Sequence, residues 1–385
     1  MADADLPNPA KSRARRRGAP LPLPETVALV LQGGGALGSY QAGVFEALDT
    51  ARIAPDWIAG ISIGAANAAI IAGNPPEDRV ARLRGFWSTL TGALPSFPIW
   101  PDDHVRELVH EWSAGFVASF GVPGFFRPRL LLPNFAPPGT DAALSFYDSA
   151  PLAATLDEFV DWDRLNSGEI RLSVGAVNVE SGNFRYFDTE KERLDARHIM
   201  ASGALPPGLP PIEIDGCLWW DGGIVSNTPL QYVLGEQAGE MLVFQVDLFA
   251  AADARPRTID DVWAREKEIR YSSRTRQITD QMLRQRKTGR AIQRVLDKLP
   301  DSLARDRDVA KLRALAEEQP VNIVHLIYRA NAWEGGARDY EFSRRTMEEH
   351  WAAGGAAVGE TIRNGALLAE NIIDGRSAAF DLTPG

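Results

Sequence analysis

Short apolar runs alternate with helix-periodic stretches along the first 250 residues. Val27-Ala28-Leu29-Val30-Leu31 is an unbroken apolar run of strand length, and Trp57-Ile58-Ala59 is a second. Each ends in a glycine-marked turn and is followed by a helix-like stretch, Ala36 to Leu48 and then Ala65 to Ala72. Strands that alternate with helices in this way predict an α/β architecture with a largely parallel sheet covered by helices. Further strands are predicted over Glu169 to Val179 and Phe184 to Phe187, joined by the hairpin-like Glu180-Ser181-Gly182-Asn183, and over Met241 to Phe249.

The pattern changes in two places. From about Leu90 to Ser149 regular alternation gives way to an insert rich in proline and aromatics, including Trp100, Trp112, Phe116, Phe120, Phe125, Phe126 and Phe135. It reads either as core-capping loop or as a lid and acyl-chain wall. After Ala250 helix patterns dominate. Val262 to Lys298 is basic, with Arg284, Arg286, Lys287 and Arg290 among its cations, and Ile278, Met282, Ile292, Leu296 and Leu299 fall roughly on one face. This is either a core-packed helix with a solvated basic face or an interfacial helix drawn to anionic lipid. A strand over Val321 to Tyr328 and a helix over Phe342 to Asn364 follow. The expected organisation is a disordered basic tail over 1–24, a catalytic domain over 25–250 carrying the insert at 90–149, and a mainly helical extension over 251–385.

Composition narrows the function classes. At 385 residues with 45% hydrophobic residues, the chain can bury a substantial core. The formal charge of −10 argues against general nucleic-acid binding. The single cysteine, Cys217, excludes an internal disulfide and reads as a small core residue. No motif implies a metal or a cofactor. No apolar run reaches the roughly 18 residues of a membrane span, and the basic tail lacks a signal-peptide core. A cytoplasmic location, with contact at lipid surfaces as an alternative role for the basic stretches, is the expectation. Composition leaves the oligomeric state open.

The two turns carry the chemistry. Gly60-Ile61-Ser62-Ile63-Gly64 has the pattern of a nucleophile elbow, which projects a serine from a strained strand-to-helix turn. Gly60 and Gly64 keep side chains away from Ser62 and let the backbone bend. Gly33-Gly34-Gly35-Ala36-Leu37-Gly38 offers backbone N–H groups at a helix N-terminus, where an oxyanion would be stabilised. The same loop also fits a dinucleotide fingerprint, but the acidic residue at the expected distance, Asp56, precedes its strand and sits at the wrong end. A third turn, Trp220-Asp221-Gly222-Gly223, places a carboxylate between an apolar run and two glycines. Alone it reads as an ordinary Asx turn. It follows Ala201-Ser202-Gly203-Ala204-Leu205-Pro206, a small-residue, proline-rich segment poorly suited to a helix.

These four elements in this order, from about Glu25 to Leu248, resemble the patatin-like phospholipases. The resemblance implies a three-layer α/β patatin-like fold and hydrolysis of lipid or phospholipid carboxylic esters. It makes Ser62 the nucleophile, Asp221 its base, Gly33, Gly34, Gly35 and Gly38 the oxyanion loop, and Gly222 and Gly223 the turn that presents the aspartate. Many members carry Arg or Lys where this chain has Leu37. The region after Ala250 resembles the C-terminal extension of a bacterial subgroup.

A Ser-His-acid triad in α/β-hydrolase order requires a histidine after the acid, and only His325 and His350 follow Asp221. Neither lies in a motif, nor do His104, His110 and His198. The resemblance implies a Ser-Asp dyad without histidine. Two other outcomes stay open: acyl transfer to an alcohol on the same dyad, and a non-enzymatic lipid-binding scaffold that keeps the fold.

Overall fold

Val27-Ala28-Leu29-Val30-Leu31 becomes a central strand of a nine-stranded sheet. The computed structural model describes residues 18–92, 103–251, 255–303, 306–316, 319–331 and 334–383. Most of the expected basic tail and Trp100 lie outside the described residues, as do the side chains of His104, Arg274, Arg276 and Ile278.

In chain order the sheet strands are β1 (Thr26–Leu31), β2 (Trp57–Gly60), β3 (Arg171–Asn178), β4 (Phe184–Asp188), β5 (Ile212–Ile214), β6 (Cys217–Asp221), β7 (Met241–Asp247), β8 (Val321–Ile327) and β9 (Ala378–Asp381). The spatial order is β9-β8-β7-β1-β2-β3-β6-β5, with β4 also paired to β3. Pairings from β9 across to β3 are parallel, and those among β3, β4, β5 and β6 are antiparallel. The region after Ala250 is mostly helical, and it also adds β8 and β9 to this sheet.

Side-chain parity shows why three layers form. Val27, Leu29 and Leu31 join one buried cluster with Phe45, Ile70, Trp87 and Trp351. Ala28 and Val30 join another with Leu230, Val233 and Met282. A strand apolar on both faces must be covered on both, and each buried Leu or Ile contributes roughly 1.5–3 kcal/mol. The covering helices that matter for the site are α1 (Gly38–Thr50), α2 (Ile63–Ala72), α3 (Arg79–Leu90), α4 (Asp103–Phe120), α5 (Ala196–Ser202), α6 (Ile259–Leu296) and α7 (Arg344–Arg363). α2, with the sequence IGAANAAIIA, is buried on every side, as a helix without a polar face must be. α1 and α7 cross so closely that a Cβ on Gly43 would meet the Trp351 carbonyl and one on Gly354 the Tyr40 carbonyl.

Local expectations are corrected at three points. Ala201 and Ser202 are helical, because Asp195 and His198 form a capping box that starts α5 and the proline run begins only at Pro206. Cys217 is exposed and free. It follows Asp215-Gly216, whose positive φ angles of 51° and 76° make a tight hairpin turn that holds the start of β6 at the surface. Arg286 is buried on the expected basic face of α6: it donates to the Gln319 carbonyl and, at 2.7 Å, to Gln237 Oε1. Arg284, Lys287 and Arg290 are exposed. No helix among the described residues is long and apolar enough to cross a membrane.

Candidate active site

β1 and β2 run parallel in register, with Leu31 beside Gly60, so the turns that follow them open at the same edge of the sheet. Ligand sites in open parallel sheets form at these carboxyl ends. Asp56 stands at the opposite end of β2, accepting the Val27 N–H at 2.8 Å.

Ser62 occupies the sharp turn from β2 into α2 with φ 54° and ψ −123°. This positive φ costs a non-glycine residue roughly 1–3 kcal/mol, so the surroundings must impose it. The Ile61 N–H donates to the Leu31 carbonyl at 3.1 Å and the Gly64 N–H to the Ile61 carbonyl at 2.8 Å. The Ser62 N–H donates to Ser202 Oγ at 3.0 Å, and that hydroxyl donates to the Gly175 carbonyl at 2.7 Å. A Cβ on Gly60 would stand 2.5 Å from the Gly64 carbonyl oxygen, and one on Gly64 would stand 2.5 Å from that of Leu31. Only glycine fits at either position.

Asp221 ends β6 and is buried. Its N–H donates to the Ala204 carbonyl at 3.0 Å, and its Oδ1 accepts the Gly223 N–H at 2.7 Å. Burial pushes the Asp221 carboxyl up to about 7, against the Gly223 N–H and the neighbouring Ser62 hydroxyl, which favour the charged form.

The glycine loop divides into two parts. Gly33 is tied on both sides to Asn227: its N–H donates to the Asn227 carbonyl at 3.3 Å, and Asn227 Nδ2 donates to its carbonyl at 2.9 Å. Gly38 closes the short 3-10 turn Gly35–Leu37 with its N–H and leaves no room for a Cβ against Ile63. Among the described residues the N–H groups of Gly34 and Gly35 have no hydrogen-bond partner. Gly35, at φ 56°, lies so close to the Asp339 carbonyl that a Cβ would overlap it. Leu37 is fully buried and faces the core.

A buried amide network supports the loop from behind. Gln41 Nε2 donates to the Gln32 carbonyl at 2.6 Å, and Asn67 Nδ2 donates to the Gly38 carbonyl and to Gln41 Oε1, both at 2.9 Å. Trp87 Nε1 donates to Asn67 Oδ1 at 3.0 Å. Gln32 Oε1 accepts the N–H groups of Leu248 and Phe249 at 2.6 and 3.0 Å, and its Nε2 donates to the Tyr271 carbonyl at 3.1 Å. Sequence reasoning missed Gln32, Gln41, Asn67 and Trp87 as a set. The available signal was three amides placed in otherwise apolar elements.

Gly33, Gly34, Gly35, Ser62, Asp221, Gly223 and Asn227 open into one cavity of about 200 Å³. Phe125, Phe126 and Tyr147 of the insert, Leu205 to Leu209, and Tyr271, Tyr340 and Phe342 from beyond Ala250 form its walls. Lys267 also lines it, paired with Asp339 at 2.5 Å and donating to the Gly336 carbonyl at 2.8 Å. No described histidine lines it. His198 caps α5, His110 contacts Thr346 at 3.2 Å, and His350 lies between Ser39 and Glu334. His325 stands 3.6 Å from Asp247 in a separate cavity.

The strained serine elbow, the glycine loop and the buried aspartate meet at the carboxyl edge of a mostly parallel α/β sheet. The chain belongs to the patatin-like phospholipase family, whose sequence profile matches residues 29–234. A second profile, described as patatin phospholipase, matches residues 269–371. The chain is 28% identical over 241 residues to lysophospholipase NTE1 of Kluyveromyces lactis, covering 62% of this chain and 14% of that protein. With the Saccharomyces cerevisiae lysophospholipase NTE1 it shares 24% identity, over 62% of this chain and 12% of the other. The chain thus matches a small part of these relatives' length. Among solved structures it is similar to VipD from Legionella pneumophila (TM-score 0.37, 16% identity, 86% of this chain and 67% of that one). It is also similar to human GIVD cytosolic phospholipase A2 (TM-score 0.34, 12% identity, 67% and 50%).

Proposed function

We propose that the protein hydrolyses a carboxylic ester of a lipid through a Ser62–Asp221 dyad and an acyl-enzyme. The observation that carries this reading is a buried carboxylate, Asp221, sharing one cavity with a serine in a strained elbow and a glycine loop, its pKa raised by burial. An ordinary carboxylate with a pKa near 4 is a weak base toward a hydroxyl; one near 7 is matched to neutral pH. Asp221 takes the Ser62 proton as Oγ attacks the ester carbonyl. The Gly34 and Gly35 N–H groups face the oxygen on which negative charge develops, and one such donor is typically worth ~3 kcal/mol. Asp221 then returns its proton to the departing alcohol. Water, deprotonated by the same carboxylate, releases the fatty acid and restores Ser62.

Gly33 and Gly38 serve this scheme by holding the loop. The walls from the insert and from beyond Ala250 suit an acyl chain. A cytoplasmic location with peripheral contact at a lipid surface belongs to the same proposal and is checked by cell fractionation. The test of the chemistry is turnover of a short soluble ester by Ser62→Ala and Asp221→Asn, each with its melting temperature measured. Both variants are expected to fold and to lose most activity; normal turnover by Ser62→Ala overturns the proposal.

A further inference from the structure

The base of the insert lines the catalytic cavity, but its tip points away from the protein. Phe125, Phe126 and Tyr147 stand in the cavity wall, and a short antiparallel pair, Arg127–Pro128 with Tyr147–Asp148, forms the stem above them. Beyond that stem Leu130, Leu131, Leu132 and Phe135 are exposed, Leu130 completely and Phe135 at 74%. The residues from 130 to 140, LLLPNFAPPGT, contain no ionisable side chain. Of the two cations at the stem, Arg127 is paired with Asp148 at 2.8 Å and Arg129 donates to Ser145 Oγ at 3.1 Å.

The opposite wall of the cavity repeats this arrangement. Ile259, Trp263, Lys267 and Tyr271 are spaced at i, i+4 along α6 and therefore share one face. Lys267 and Tyr271 line the cavity, while Trp263 and Ile259, one and two turns nearer the helix start, are 65% and 61% exposed. This face thus leads from the catalytic cavity to exposed apolar side chains at its outer end. Charge here nearly cancels in the sequence: Arg255, Arg257, Arg265, Lys267 and Arg270 stand against Asp260, Asp261, Glu266 and Glu268 between 255 and 271. The exposed cations Arg284, Lys287 and Arg290 begin seventeen residues beyond Lys267, about 25 Å further along the helix at 1.5 Å per residue.

We propose that the protein seats its catalytic cavity on a lipid surface through these two apolar lips, the insert tip Leu130–Phe135 and the Ile259–Trp263 start of α6. The inference rests on the lipid-ester reading and assigns the surface that brings the cavity to its substrate. Exposed apolar side chains at the mouth of a lipid-accepting cavity have a ready partner in the acyl boundary of a bilayer. With charge nearly cancelled on both lips, binding is expected to be mainly apolar in origin and to persist at high salt.

The test is cosedimentation of the full-length protein with phosphatidylcholine vesicles and with vesicles containing phosphatidylserine, at low and high salt. One variant carries Leu130→Ser, Leu131→Ser and Phe135→Ser; a second carries Trp263→Ser. All these side chains are exposed, so melting temperatures are expected to match the wild type. The wild type is expected to bind both vesicle types alike and to retain binding at high salt. The triple variant should bind at least tenfold more weakly, Trp263→Ser severalfold more weakly, and the ratio of vesicle-borne to soluble-ester turnover should fall in parallel. Equal binding by wild type and triple variant overturns the proposal. So does binding abolished by salt, which assigns contact to the basic part of α6. A wild-type dimer in sedimentation velocity that the triple variant dissolves also overturns it, because the lips then meet a second copy. Should vesicle binding behave as expected while the wild type cleaves no ester, the catalytic reading fails and the lipid-docking surface stands.

Discussion

The two halves of the catalytic cavity are built on different principles. One half consists of backbone turns: the Ser62 elbow, the Gly33–Gly38 loop and the Asp221-Gly222-Gly223 turn. There each glycine is required by a carbonyl or side chain 2.2–2.9 Å from where a Cβ would go. The other half is a wall of Phe125, Phe126, Tyr147, Tyr271, Tyr340 and Phe342, contributed by three segments remote in sequence and held by ordinary apolar packing. The proposed chemistry belongs to the half in which every glycine is sterically required, and the proposed substrate preference to the half held by side-chain packing.

The largest effects are therefore expected at the elbow glycines. Gly60→Ala forces a methyl group to 2.5 Å from the Gly64 carbonyl in the first turn of α2, and Gly64→Ala to 2.5 Å from the Leu31 carbonyl at the end of the β1–β2 pairing. Loss of soluble, active protein is the expected outcome, read by expression and thermal melting. If Gly64→Ala proves as active as the wild type, the distinction between the two halves fails.

Next come the reacting side chains. Ser62→Ala and Asp221→Asn should each lower kcat/KM for a soluble ester by about a thousandfold or more, and the double variant should lose little beyond that, because the two act as a unit. Asp221→Asn should at the same time stabilise the fold. A carboxyl whose folded pKa is raised from 3.8 to about 7 binds more protons folded than unfolded. Its burial therefore costs stability as pH rises above 3.8, reaching on the order of 4 kcal/mol above pH 7. The melting-temperature gain of Asp221→Asn should accordingly be larger at pH 8 than at pH 5. Activity should follow the opposite requirement, rising with pH through a midpoint near 7 as Asp221 loses its proton.

Smaller still is the strain at Ser62. Ser62→Gly removes the cost of φ 54° while Ser62→Ala keeps it, so the glycine variant should be more stable by about 1 kcal/mol, both being inactive. The wall residues close the series. Phe125→Ala or Phe342→Ala should shift the preferred acyl-chain length, with severalfold changes in kcat/KM across a series of soluble esters. A uniform loss at every chain length would move these residues out of the substrate wall.

This division also explains what the sequence made legible. Ser62, Asp221 and the glycines announced themselves because a backbone forced into an unusual turn leaves glycine at fixed offsets, and offsets survive in a linear reading. The strands beside them were equally plain, since both faces of β1 and β7 are buried and apolar residues run through both, interrupted in β7 only by Gln245 before its terminal Asp247. Ser202 was visible inside its segment, but its bond to the Ser62 N–H was not, because it joins residues 140 positions apart. Gln32, Asn67 and Asn227 carried no offset pattern; each is a lone amide whose partners the fold supplies. Lys267, Tyr271 and Tyr340 reach the cavity only because β8 and β9 extend the sheet and bring the segments around them to its edge, and apolar periodicity encodes burial without naming the neighbour.

The central claim is that Ser62 is a nucleophile activated by Asp221 alone. It is tested most directly by treating wild type, Ser62→Ala, Asp221→Asn and His325→Gln with a fluorophosphonate and mapping the adduct by peptide mass spectrometry. The account predicts a single adduct on Ser62 in the wild type, labelled at a comparable rate in His325→Gln, slowed by orders of magnitude in Asp221→Asn and absent in Ser62→Ala. An adduct on any other residue, or labelling of Ser62 that is lost with His325 and retained without Asp221, would contradict it.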